Sequence, residues 1–260
     1  MRRLTLTVAV GCLAASAALA GSPKGATAPL SHAAVHRVGV VNAGTLDSEN
    51  WSGYAVTGLT YTQVAGSWIV PTVKATSGQR YASDWVGIGG FANENRKLIQ
   101  AGTTEQDVNG TITYNAWTEI LPASETVIGK FKVHPGDAMS VDITKGSGKS
   151  WTMVVIDTTE SESFTRTVNY TLQENSAEWI HEAPEVGGIG IVDIALTTNV
   201  DFDHGTVNGS TVIGSAGTLT KIVLTGAEPS DTHATPSKLD SDHDGFAVAD
   251  GTKAPPPPAS

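Results

Sequence analysis

The segment NSAEWIHEAPEV, residues 175–186, sets Glu178, Glu182 and Glu185 around Trp179 and His181. Carboxylates can take a proton from water and hand it to a leaving group. Three of them in an otherwise strand-like neighbourhood exceed what core filling needs. If 177–182 is extended, Ala177, Trp179 and His181 face one way, and Glu178, Ile180 and Glu182 the other. Four residues of strand span about 13 Å at about 3.3 Å per residue, so Glu178 and Glu182 cannot serve one reacting centre together. A catalytic partner must come from another strand. YNAWTEILP (114–122) puts Asn115, Trp117, Glu119 and Leu121 on one face, and KLIQAG (97–102) does the same for Leu98 and Gln100. The plain alternative is that these polar groups line the wet face of an antiparallel sheet.

Other chemistries find less support. KGSGKS (145–150) looks like part of a phosphate loop, but Ile143 stands where a Gly is required, so a lysine-bearing hairpin turn is expected. DSDHDGFAVADG (240–251) spaces Asp240, Asp242, Asp244 and Gly245 like the start of a calcium loop. Its twelfth position is Gly251 rather than Glu, so a solvated acidic stretch is the simpler reading. The seven histidines show no metal-ligand spacing, and no metal site is expected. There is no Gly-x-Ser-x-Gly elbow. A Ser-His-Asp triad assembled from distant parts stays open, but no residue nominates one.

The chain begins MRRLTLTVAVGCLAASAALAG: two arginines, an apolar run and a small-residue cleavage signal. This is the pattern of a secretory signal peptide over 1–20. Lipid anchoring at Cys12 fits poorly, because Ala9 is a weak residue at its place in that motif. Cys12 is the only cysteine, so the expected mature protein has no disulfide, no thiol nucleophile and no thiolate metal site. The formal net charge is −10, and removing residues 1–20 leaves 14 basic against 26 acidic side chains. So acidic a chain argues against nucleic acid and anionic membrane as partners. No later apolar run is long enough to span a bilayer.

Residues 21–48 carry no sustained period and read as a propeptide or flexible leader. From Glu49 onward short runs rich in Val, Ile, Thr, Tyr and Trp alternate with Gly, Asn, Asp and Ser turns, with a period near two. Asn109-Gly110 is a strong hairpin signal. Ten or more short strands predict an all-β antiparallel sandwich or barrel over 49–226. Residues 227–260 are polar and end in four consecutive prolines before Ala259 and Ser260, and they read as a mobile tail.

Seven blocks in order carry a resemblance: NWSGY (50–54), GSWIVP (66–71), WVGIGG (85–90), LIQAGT (98–103), YNAWTEILP (114–122), PGD (135–137) and AEWIHEAP (177–184). Together, over roughly 49–225, the chain resembles the eqolisins, the glutamic peptidases. The resemblance implies a β-sandwich of two large curved, lectin-like sheets with the site on a concave face. It implies Gln100 and Glu178 as the catalytic pair, with Trp85, Trp117 and Glu119 near the site. It further implies a secreted, acid-acting endopeptidase, a monomer that takes a protein or peptide substrate and needs no cofactor. Glu178 would act as general base on a water and Gln100 would stabilise the oxyanion. A carboxylate titrating near its usual value of about 4.3 suits acid work. The leader would keep the enzyme silent until acid exposure, with a cut near Asp47–Glu49. The family has Asp at the place of Gly89 and Tyr at the place of Leu121, which bears on pH range and substrate preference. Two rivals share such a sandwich: a glycoside hydrolase using Glu119 and Glu178, and a carbohydrate- or peptide-binding module with Trp85 and Trp117 as a platform.

Overall fold

A computed structural model describes residues 29–39, 42–91, 96–226 and 232–260. The signal peptide and residues 21–28 lie outside the described residues. The regular structure of the described chain is all strand but for one short 3-10 turn at Ile213–Ser215. Among the described residues no helix is long and apolar enough to cross a membrane.

Two layers of antiparallel strands enclose the main core. One layer orders Glu162–Asn169, Ser150–Asp157, Ala138–Lys145, Gln63–Ile69 and Val200–Val207. The other orders Thr218–Thr225, Trp51–Thr57, Ser176–Glu182, Gln79–Gly89, Leu98–Val108, Thr111–Ile120 and Thr126–Val127. Strand Ala138–Lys145 alternates half-buried and buried positions along most of its length, the signature of one face on a core. The expected turns form: Asn109 and Gly110 both take positive φ (54° and 82°), and residues 146–149 close a hairpin that carries Lys149. Between the layers pack Trp68, Val86, Ala101, Val141, Met153, Trp179 and Phe202. Two indoles tie the layers by hydrogen bonds: Trp68 Nε1 donates to Thr103 Oγ1 at 3.1 Å and Trp179 Nε1 donates to the Ala65 carbonyl at 2.8 Å.

Two expectations from sequence need correction. Within the segment 227–260, expected as a mobile tail, residues 232–250 are built into the sheet. Thr232–Pro236 and Phe246–Asp250 are strands that pair with each other and join the two layers through Thr218–Thr225 and Val200–Val207. Phe246 is buried, stacked on Phe202 at 4.9 Å and edge-on to Tyr54 at 4.9 Å. Five-residue strands carry too little periodicity to stand out in a polar segment, and their stability comes from non-local pairing. Nor is the leader flexible where it is described. Thr45–Ser48 runs parallel beside Thr218–Thr225, Leu30–Ser31 pairs with Glu185–Val186, and Ala34 and Leu46 are buried. Glu185 is a strand residue that pairs with Ser31 of the leader.

Candidate functional site

Four neighbouring strands bring the candidate residues into one cross-strand row. Glu178 is opposite Gly87, Gly87 opposite Gln100, and Gln100 opposite Glu119. Cross-strand partners point to the same face. Two strand spacings of about 4.8 Å put the Gln100 and Glu178 backbones about 10 Å apart, close enough for both side chains to lean over the position between them. That position is a glycine: a Cβ on Gly87 would stand 3.1 Å from Gln100 Cβ and 2.9 Å from Leu98 Cδ1. One step along the strands, Ile180, Trp85, Gly102 and Trp117 form the next row, and Glu182, Ser83, Thr104 and Asn115 the one after. Gly102, between the two tryptophans, lets the Trp85 strand approach closely, since a Cβ there would lie 2.2 Å from the Asp84 carbonyl oxygen.

The face is dry. Gln100, Glu119, Glu178, Glu182, Trp85 and Trp117 are all fully buried. The expectation of a wet sheet face fails because described residues of the leader, in 29–39 and 42–48, pack against it. Ala34 and Leu46 of the leader join Trp51, Trp85, Leu98, Trp117 and Leu121 in a second apolar cluster. His32 stands at its centre, stacked on Trp117 with ring centroids 3.7 Å apart and planes 5° from parallel. Its Nε2 is 2.9 Å from Glu125 Oε2 and its Nδ1 is 3.3 Å from Glu182 Oε2.

Gln100 is held at both amide protons. Its Nε2 donates to the His32 carbonyl at 2.6 Å and to Glu119 Oε2 at 2.7 Å, while its Oε1 is buried without a hydrogen-bond partner. Glu119 also accepts the His32 backbone N–H and the Ser31 hydroxyl, each at 3.0 Å. Trp85 Nε1 donates to Glu182 Oε2 at 2.7 Å, and Trp51 meets the Trp85 ring edge-on at 5.0 Å. The Glu178 oxygens meet no donor in hydrogen-bonding geometry among the described residues.

Burial governs the protonation of this face. It pushes the Glu178 carboxyl well above the usual carboxylate range, against weaker opposing influences from Ser176 and the Phe91 backbone. That departs from the near-normal value expected from sequence, and burial of the side chain is the cause. Burial likewise raises Glu119 to about 7, opposed by the charge and backbone N–H of His32. Glu182 is raised by burial, with His32 and Trp85 pulling the other way. His32 is lowered by burial, but its contacts with Glu125 and Glu182 and the charge of Glu119 prevail and hold it at about 10. The leader thus presents an imidazolium to a cluster of acids.

Gln100, Glu178, Trp85, Trp117 and Glu119 come together as one surface. His181 does not join them; it lies in the core between the layers, with Nδ1 2.8 Å from Asp84 Oδ1. Sequence reasoning missed His32 and Glu125 and left Glu182 as a supporting group. Period two already set Glu182 on the Glu178 face, whereas nothing local marked His32. Gly89 and Leu121, the two departures from the family pattern, lie at the end of strand Gln79–Gly89 and in the apolar cluster under the leader, respectively.

Residues 49–243 match the family described as Peptidase A4 family. Aspergillopepsin-2 of Aspergillus niger is 32% identical over 205 residues, 69% of this chain and 72% of that protein. The fold matches a crystal structure of scytalido-glutamic peptidase with a transition state analog inhibitor, TM-score 0.67 at 20% identity, covering 78% of this chain and 98% of that one. It also matches aspergilloglutamic peptidase from Aspergillus niger, TM-score 0.53 at 26% identity, covering 66% and 99%. With three quarters of its length matched and its sandwich shared with solved members, this chain belongs to the Peptidase A4 family, the glutamic endopeptidases.

Proposed function

We propose that this chain is a secreted zymogen whose peptidase works in acid through a Gln100–Glu178 pair. The observation that carries the reading is the Gln100 amide donating to a main-chain carbonyl, that of His32, at 2.6 Å. A peptide-bond oxygen in that position is what an oxyanion-stabilising amide requires. The Glu119 carboxylate accepts the other amide proton, so Nε2 is turned toward the carbonyl and Oε1 is left to hold a water. Glu178, across the gap over Gly87, takes a proton from that water as it attacks the scissile carbon. The tetrahedral oxyanion forms against Gln100 Nε2. Glu178 then gives the proton to the leaving amine, and the C–N bond breaks. Trp85 and Trp117 flank this line and give a substrate strand apolar surface to lie on.

A base must be ionised to begin. Under the leader Glu178 is held neutral by burial. Removing the leader readmits water, returns the carboxyl toward its usual range, and makes acid work possible. The leader therefore blocks the face and also disarms the base. The turn at Asn42–Gly44 is exposed, whereas Thr45–Ser48 is paired in the sheet. Exposed turns are the preferred places for a nick, so the activating cut belongs in that turn rather than at Asp47–Glu49. An active form that begins at Gly21 would sink the zymogen reading. A carbohydrate-cleaving role for Glu119 and Glu178 is disfavoured. Glu119 is engaged by the Gln100 amide, the His32 N–H and the Ser31 hydroxyl, so its carboxyl serves to hold the amide.

The test is cleavage of a denatured protein across pH 2 to 7 by leader-free wild type and Glu178→Gln, with a chelator and pepstatin present. Acid-limited cleavage by wild type alone supports the pair. Equal cleavage by the variant removes Glu178 from the mechanism.

A further inference from the structure

The segment expected to be a solvated acidic tail forms a compact site with a residue nearly forty positions away. The connection between strands Thr232–Pro236 and Phe246–Asp250 folds on itself: Asp240 Oδ1 accepts the N–H groups of Asp244 and Gly245, at 3.2 and 3.1 Å, and the Asp240 N–H donates to the Gly245 carbonyl at 2.9 Å. The Gly205 N–H donates to the Asp244 carbonyl at 2.9 Å, which fastens the loop to strand Val200–Val207. At that point the strand breaks register after Asp203, and His204 takes a φ of 54°. As a result Asp203, Asp240 and Asp244 each bring one carboxylate oxygen to within 4.8 Å of the others.

An acidic cluster on its own says little. Here Asp240 is only 5% exposed, and its Oδ2 is buried with no hydrogen-bond partner. That oxygen faces Gly245 on the side of the Phe202 carbonyl, next to Asp203: a Cβ on Gly245 would lie 2.3 Å from Oδ2 and 2.9 Å from the Phe202 oxygen. Asp244 Oδ1 is likewise buried without a partner. No ion pair reaches Asp240 or Asp244 among the described residues, and Asp203 has only the exposed His204 at 3.8 Å. Converging carboxylates buried without cations cost free energy unless a proton or a metal ion joins them.

We propose that Asp203, Asp240 and Asp244 bind a divalent cation, calcium by the chemistry of the donors. All the donors are hard oxygens, and the DSDHDG spacing supplies positions one, three, five and six of a calcium loop. The loop lacks a glutamate at its twelfth place because the missing carboxylate comes from another strand: Asp203 closes the site. Asp242, at the third position, is exposed and already lies beside Asp240 and Asp244, where it can serve as a further ligand. The ion would clamp the two C-terminal strands to the layer that carries Asp203, at the corner where the layers join.

The test uses the full chain, freed of divalent ions by a chelator, at pH 6.5. Calcium is titrated by calorimetry, with terbium luminescence as a second probe and thermal melting alongside. One ion per chain is expected, with a rise in Tm and slower hydrogen exchange over 232–250. Asp203→Asn and Asp244→Asn should each weaken binding by about tenfold or more. Glu160→Gln, in the separate His134–Asp137–Glu160 group, should leave binding unchanged. No binding at millimolar calcium overturns the proposal, as does unaltered affinity in a folded Asp203→Asn. An ion-free Asp203→Asn that melts higher than wild type, in a chain that binds no ion, would show carboxyls sharing protons instead. If a variant fails to fold, the wild-type exchange map decides: protection by calcium confined to other strands also overturns it.

Discussion

Gln100 Nε2 lies 2.6 Å from the carbonyl oxygen of His32, so the amide opposite Glu178 is already engaged with a peptide bond, and that bond belongs to the chain's own leader. Under the proposed function, activity and its suppression meet at this one hydrogen bond.

Glu178→Gln in the leader-free enzyme should abolish turnover at every pH, because an amide cannot accept the proton from water. The fold should survive, since the covered site already holds Glu178 neutral. Substrate cleavage and circular dichroism on the same sample check both halves; a folded variant with near-normal rate would defeat the assignment.

Gln100→Ala should lower kcat by about 10²–10³, the usual loss for one oxyanion donor. Glu119→Ala acts through Gln100, freeing its amide to rotate, and should cost about 1.5–3 kcal/mol, the range for a hydrogen bond to a charged group. Steady-state kinetics should show both losses in kcat, with KM little changed. Glu119→Gln, which can still accept from Nε2, should recover part of the rate.

The docked leader should hold more tightly in acid than in base. Glu119 moves from its usual 4.5 to about 7 under the leader, so docking takes up a proton between those values. Its contribution is complete below 4.5 and lost as pH rises through 7. His32 moves from 6.5 to about 10, so its contribution is complete below 6.5 and lost as pH rises through 10. Acid therefore does not loosen the leader by these groups, and activation needs a cut. Affinity of a synthetic 29–48 peptide for the leader-free enzyme, measured from pH 4 to 9, should fall with rising pH; tighter binding at pH 9 than at pH 5 would refute this.

His32→Ala in that peptide removes the stack on Trp117 and the contacts with Glu125 and Glu182. Inhibition at pH 5 should weaken by about 10–100-fold, the equivalent of about 1.5–3 kcal/mol for charged hydrogen bonds. An inhibition constant unchanged by the substitution would mean that the backbone alone does the blocking.

Gly87→Ala should harm the reaction more than the fold. The added methyl meets Leu98 Cδ1 at 2.9 Å and Gln100 Cβ at 3.1 Å, in the gap between the pair. Overpacking of this kind costs about 1–3 kcal/mol of stability, and Tm and kcat measured together will separate the two effects.

The sequence by itself determined the strand class and the facing of the key side chains. A period of two puts Gln100 with Leu98, Trp117 with Glu119, and Glu178 with Glu182, because alternate residues of a strand must share a face. Ordered motif blocks were enough to choose Gln100 and Glu178 as the pair. Neither reading could reach what depends on distant pairing. Register between strands, which sets Gly87 as the open position between Gln100 and Glu178, is a tertiary fact. So is the burial of that face: the leader has no amphipathic pattern, and its hold comes from a parallel strand at Thr45–Ser48 and from His32 meeting acids carried on other segments. The strands at Thr232–Pro236 and Phe246–Asp250 were hidden for the same reason, being short, set among polar residues and stabilised by pairing with Thr218–Thr225 and Val200–Val207 and by packing against distant rings such as Tyr54. Local pattern reports which way a side chain points; only the folded chain decides what it meets there.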